Sequence, residues 1–421
     1  MDSPYSLVAL GAILSEFLVS TSVTLLNLRS LDTVPPPELA DVYDPKRYEQ
    51  AQLYGRAHAR FGLCAGAFEL LLLLGFWACS GFEALDRAVR SLAWPSVPSA
   101  LVFVFSLLAA RGIADLPFRL YGTFVLEERF GFNKTTLRTF ISDGLKSLAL
   151  GVALGAPVLA LVVLLFERAG VLAFLYVWIA GTVLMLGLQF IAPAWLMPLF
   201  VRFTPLPDGE LRDRIMAYAR SVSFPLENLF IVDGSRRSTK ANAFFTGFGR
   251  HRRIGLYDTL IARYSADELT AIVAHEVGHY KKRHVTNGML LGIAQLGLTL
   301  ALFGALMRFP PLYVAFGVSQ PSVYMGLVLC SLMYQPIALA LSLFSLARSR
   351  RNEFEADRFA VETTGLGAAL VTGLKRLAGE NLANLTPHPS YVTVHYTHPP
   401  LRQRVLAIAG ASHAARVHDR P

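Results

Sequence analysis

Apolar residues gather in seven long stretches, at about 5–28, 61–82, 97–115, 146–166, 171–195, 287–307 and 322–346, and polar residues return abruptly between them. Each stretch is long enough to cross about 30 Å of hydrocarbon as a helix. The first has no basic residue ahead of it and no small-residue cleavage pattern after it, so it reads as a retained anchor and not as a leader. Two hydrophilic blocks interrupt the pattern, one over about 201–286 and one from 347 to the end. In the first block the pattern predicts an amphipathic helix near 209–222 and a short strand and turn at Ile231-Val-Asp-Gly234. It also predicts a hairpin of Ala241–Thr246 with Arg253–Tyr257, joined through the glycines between them. A helix is predicted from about Ser265 to His284, opened by a Ser-Ala-Asp-Glu cap. The fold class is therefore a mainly α membrane protein with a small β element, and no internal repeat is visible.

Composition agrees with a bilayer. Hydrophobic residues make up 53% of the 421 and charged residues only 16%, against about a quarter in soluble proteins. The net charge of +9 lies in loops beside apolar spans, which points to anionic lipid headgroups as partners and excludes nucleic acid. Lys46, Arg47, Arg129, Lys134, Lys281, Lys282 and Arg283 fall in loops one, three and five. The positive-inside tendency thus puts that side, with both hydrophilic blocks, in the cytoplasm. Cys64, Cys79 and Cys330 lie within spans without metal-like spacing and read as packing residues.

The chemistry concentrates at His275-Glu276-Val277-Gly278-His279. Residues four apart share a helix face, so His275 and His279 aim two imidazoles at one ion, with Glu276 beside them as base for an attacking water. A catalytic zinc site needs a third protein ligand. Asn352-Glu-Phe-Glu-Ala-Asp357, just after the last span, offers Glu353 as that ligand on a second helix. Asp357, one turn on, is placed to accept a ring N–H from a ligating histidine. The competing reading makes these acids a solvated helix face beside Arg350, Arg351 and Arg358. His284, five residues past His279, falls off the metal face and reads as a juxtamembrane residue. The layout is then residues 1–200 as spans one to five, 201–286 as the first part of a catalytic domain, 287–346 as spans six and seven, and 347–421 as its second part.

These residues resemble the integral-membrane zinc CAAX prenyl proteases, the type I CAAX endopeptidases. The likeness runs through Leu116–Tyr121, Glu127–Thr136, Pro198–Phe200, Phe203–Leu206, Asp208–Leu211, Ala241–Gly247, His275–His284, Glu353–Asp357 and His398-Pro-Pro-Leu401 with Arg404. It implies a barrel of seven helices around a water-filled chamber, with a gluzincin-like catalytic domain and one zinc ion facing inward. The chamber gives Glu16 and Glu69 a place to meet water; snorkelling or helix-to-helix bonding is the alternative. In similar enzymes Asn242, Ala243 and Phe244 match a segment that adds substrate as a strand, and His398 and Arg404 match groups that line the site and stabilise an oxyanion. On bare sequence, Asn242 reads equally as a turn residue, and His398 and Arg404 as loop and exposed helix. The Glu127–Thr136 block carries the likeness without a chemical role beyond a charged junction. The substrate implied is a peptide or C-terminal protein segment, with or without an isoprenyl group, with oligomeric state open and a monomer sufficient. The Ala-, Leu- and Arg-rich composition has a bacterial look, which favours a bacterial inner membrane and keeps membrane quality control, as in the HtpX-type proteases, as a rival. A transporter or channel with a regulatory metal site is the second rival.

Overall fold

The computed structural model describes residues 3–31, 34–226, 228–246 and 253–418, so the glycines expected to close the hairpin lie outside the described residues. The chain opens with α1 (Pro4–Ser30), α2 (Pro45–Ala78), α3 (Gly81–Arg90), α4 (Ser96–Tyr121), α5 (Leu137–Arg168) and α6 (Ala173–Ile191). The polar segment after α6 gives β1 (Phe203–Pro205), α7 (Glu210–Ser221), β2 (Asn228–Val232), β3 (Ala243–Thr246), β4 (Arg253–Tyr257), α8 (Asp258–Ile261) and α9 (Ala266–Lys281). Then follow α10 (His284–Leu306), α11 (Pro310–Ala315), α12 (Val323–Met333), α13 (Gln335–Thr364), α14 (Gly367–Glu380), α15 (Pro389–His395) and α16 (Leu401–His418).

Six of these helices are long and apolar enough to cross a membrane, and α12 with α13, bent by 56°, makes a seventh span. The spans overrun the apolar stretches because caps, not hydropathy, start them. Asp44 accepts from the Arg47 N–H ahead of Pro45, so α2 begins well before its apolar run and reaches about 50 Å. At its start Tyr43, just ahead of the helix, and Ala51 pack with Leu382, Leu385 and Val405. In the ring of spans α1 packs on α2 and α13, α5 on α4 and α6, and α10 on α6 and α12. Between α1, α2, α4 and α12 lies a cavity of about 1170 Å³, and both Glu16 and Glu69 line it. Glu69 also meets Arg111 across the cavity wall at 3.3 Å.

The four strands run in the order β1-β2-β4-β3, with β2 parallel to β4 and the outer pairs antiparallel. Ala243 pairs with Leu256 and Phe244 with Gly255, the expected hairpin, and β3 is left at the edge of the sheet. One hydrophobic core joins both polar segments: Ile215, Leu229, Ile254 and Val273 from the first pack with Ala360, Leu370 and Ile408 from the second. The Glu127–Thr136 block has a definite task. Phe132 O accepts from the Thr239 N–H, the Lys134 N–H donates to Arg237 O, and Lys240 Nζ sits 3.0 Å from Glu127 Oε2, so the block docks the chain that leads into β3.

Candidate metal centre

Two helices build the centre. α9 starts at a capping box, in which Ser265 and Glu268 satisfy each other's backbone N–H groups. It delivers His275 and His279 one turn apart on the face turned toward α13. The close approach of the two helices depends on Gly278, where a Cβ would meet Ala356 Cα at 3.0 Å and Ala356 O at 3.1 Å. α13 is the continuation of the last span. Glu353 is thus on a second helix, as the sequence suggested, and that helix is the same rod that leaves the last span.

Among the described residues, His275, His279 and Glu353 form a group whose ligand atoms all lie within 4.8 Å of one another. The two Nε2 atoms are 3.1 Å apart, and Glu353 oxygens stand 3.4 Å from His275 Nε2 and 3.3 Å from His279 Nε2. Donors about 2.0–2.1 Å from a tetrahedral ion are separated by about 3.3 Å, so the spacing of this set suits a metal ion. Glu353 Oε2 is also buried with no hydrogen-bond partner, which an ion would remedy.

Behind the ligands, Asp357 Oδ1 lies 2.9 Å from His275 Nδ1 and so holds the proton there, leaving Nε2 to face the group. Burial disfavours the charged imidazole, but its contacts with Asp357 and Glu353 outweigh that and raise His275 to about 9. Arg404 is buried at 8% exposure. It donates through Nε at 2.8 Å and Nη2 at 2.6 Å to the two Asp357 oxygens, while Nη1 stands 3.4 Å from Glu353 Oε2. Its guanidinium is therefore committed to the back of the centre and does not line the open side. His398 does: its side chain is 62% exposed, with Nε2 3.4 Å from Glu353 Oε1 and Nδ1 2.8 Å from Thr397 Oγ1. Glu276, half-buried beside His275, has its carboxyl pushed above the usual range, chiefly by burial.

Asn242 Oδ1 accepts from the Ala243 N–H at 2.9 Å, the local turn-like bond that bare sequence allowed. Ala243 and Phe244 lie on the edge strand, against which α9 packs. The Phe244 ring is tied into the sheet by edge-on contacts with Phe203 and Tyr257. His284 stands outside the ligand group and opens span six, as its spacing suggested, yet it packs directly against His279. Arg283 adopts a left-handed conformation (φ 58°), which ends α9 and folds His284 back at the start of α10, with its Nδ1 3.1 Å from His279 Nδ1.

A ring of membrane helices, a two-histidine-one-carboxylate group and an adjacent carboxylate base define a membrane-embedded metallopeptidase. Comparison with known proteins specifies the class. Residues 24–202 match the family model described as CAAX prenyl protease N-terminal, five membrane helices, and residues 205–412 match that of peptidase family M48. The CAAX prenyl protease 1 homolog of Arabidopsis thaliana is 34% identical, covering 97% of this chain and 99% of the relative. CAAX prenyl protease 1 of Saccharomyces cerevisiae is 32% identical over 96% and 95%, and the Homo sapiens homolog 31% over 89% and 88%. The crystal structure of S. mikatae Ste24p superimposes with a TM-score of 0.91 at 31% identity, covering 97% of this chain and all of that one. The chain belongs to peptidase family M48, in its CAAX prenyl protease branch, and is a multi-pass integral membrane metalloendopeptidase.

Proposed function

We propose that this enzyme uses one zinc ion, held by His275, His279 and Glu353, to cut peptides near a prenylated C-terminus. The observation that carries the reading is the spacing of the three ligands with Glu276 beside them. Bound there, zinc supplies a Lewis acid that polarises the scissile carbonyl and acidifies water. Glu276 takes the proton of the attacking water and passes it to the leaving amine, so a peptide bond and a water become a carboxylate and an amine. His398, on the open side, donates to the oxyanion as the carbonyl becomes tetrahedral. Asp357 and Arg404 are positioning residues: the first fixes the His275 tautomer, and the second orients Asp357 and Glu353. In this reading Arg404 acts through Asp357 and Glu353, whereas the resemblance suggested an oxyanion role for it.

Substrate backbone adds to the open edge of Ala243–Phe244, and Asn242 holds the start of that strand. Residues 201–286 and 347–421 act as one catalytic domain, supported by their common core. They face the cytoplasm, a reading supported by the basic residues of loops one, three and five. The names of the relatives and the cavity between the spans favour prenylated peptides over membrane quality control.

The test is cleavage of one fluorogenic peptide ending in a CAAX sequence, with and without a farnesyl group, by wild type, Glu276→Gln and chelator-treated enzyme in liposomes. Cutting by wild type alone, strongly raised by farnesyl, is the expected result. Equal cutting of both peptides would move the substrate assignment to unmodified chains.

A further inference from the structure

His275 has its orienting partner in Asp357, and the second histidine has one that the sequence did not announce. His279 turns Nε2 to the ligand group, so in a neutral ring its proton resides on Nδ1. The atom 3.1 Å from that Nδ1 is His284 Nδ1, which must then accept. A neutral His284 accepting at Nδ1 carries its own proton on Nε2, and that nitrogen lies 3.1 Å from Glu355 Oε2. Arg351 Nε donates to the other oxygen, Glu355 Oε1, at 3.1 Å. One assignment of protons therefore satisfies every contact from Arg351 to the ligand nitrogen. His284 is buried at 7% exposure, and its ring stands 72° to that of His279 with centroids 5.1 Å apart, so its position is fixed by packing. The pattern repeats that of His275, Asp357 and Arg404: each ligating imidazole is backed by an acceptor, itself tied to a charged group of α13 or α16.

We propose that His284 and Glu355 form a positioning chain that fixes the tautomer and orientation of His279 and thereby tunes the hold of the centre on its metal. The proposal rests on the zinc reading above. Outer partners of this kind typically change metal affinity by about 10- to 100-fold.

The experiment measures zinc affinity by chelator competition on the purified full chain in detergent, with the visible spectrum of the cobalt-substituted protein as a second readout. His284→Leu removes the acceptor, whereas His284→Asn sets Oδ1 where Nδ1 was. Leucine is expected to weaken zinc binding by about 10- to 100-fold and to alter the cobalt bands, with asparagine recovering most of the affinity. Glu355→Ala should fall between. Wild-type affinity in the leucine variant, or equal losses with leucine and asparagine, overturns the proposal, the second outcome being a packing effect. If the leucine variant does not fold, wild-type affinity in Glu355→Ala does the same. A His279→Ala protein that binds zinc as wild type does would instead overturn the reading of the centre, and this inference with it.

Discussion

In the proposed mechanism Glu276 is the side chain on which turnover depends but ligand geometry does not. Glu276→Gln keeps the size and removes the base, so zinc content should stay at one per chain while kcat falls by about 10²–10⁴-fold. Loss of zinc in that variant, measured by atomic absorption, would show that Glu276 holds the site together and is not simply its base. His275 sets the pH behaviour of metal uptake. In the metal-free protein its contacts keep it protonated up to about 9. A ligand must shed its Nε2 proton to bind, so zinc affinity should rise with pH until about 9 and then flatten, with close to one proton released per ion at pH 7. Calorimetry in buffers of different ionisation enthalpy reads that proton count, and a value near zero would mean that His275 is neutral before binding. Gly278→Ala tests the helix contact: its methyl would press on Ala356 backbone, which cannot swing aside as a side chain would. A cost of about 1–3 kcal/mol in stability and weaker zinc retention are expected. At this scale, sequence spacing suffices for His275, Glu276 and His279, because i, i+4 geometry is intrinsic to a helix. It does not reveal the contact of His284 with His279, because one left-handed residue, Arg283, resets the helical phase. It also left the direction of Arg404 undecided, because a guanidinium turns toward whichever carboxylates tertiary packing brings near.

The elements combine rigid rods with an open edge. α13 carries Glu353 and Asp357 on from the last span, so the proposed third ligand is fixed by the same helix that forms half of that span. β3 stays at the sheet edge and is steadied at its start by Lys240, whose Nζ contacts Glu127 and the Tyr54 hydroxyl and lies 4.5 Å over the Phe132 ring. Releasing that clamp should blur the register in which peptide adds to the strand without touching the ligands. For Lys240→Met we expect KM to rise by roughly three- to tenfold with zinc content unchanged, the range that a part-exposed ion pair with a ring contact can supply. An unchanged KM would mean that β3 holds its shape without the clamp. Helix positions were legible from hydropathy to within the uncertainty set by caps. The docking of Glu127–Thr136 on Arg237–Lys240 was not, since a single bridge and a few bonds between segments a hundred residues apart leave no periodic trace.

Across the whole molecule, the sum of spans and the two-part hydrophilic core were legible, because burial in lipid demands long apolar runs and both polar segments had to share a core. Hydropathy did not reveal the cavity; the family resemblance implied it and gave Glu16 and Glu69, which line it, a place to meet water. The centre lies where these parts meet. α9 belongs to the sheet-bearing core and leads into span six, whereas α13 comes from span seven, and a metal between them ties the core to the barrel at one point. Binding to the folded state alone adds about 2.7 kcal/mol at a ligand concentration 100 times its Kd. For a chain of this size that should appear as a rise of a few degrees in the Tm of the detergent-solubilised protein. Chelation should remove the rise, Glu276→Gln should retain it, and His279→Ala should sit at the chelated value with or without added zinc. If His279→Ala responded to zinc as wild type does, the ion would be acting elsewhere on the chain, and the meeting of α9 and α13 would owe its stability to packing and to the contact of His275 with Asp357.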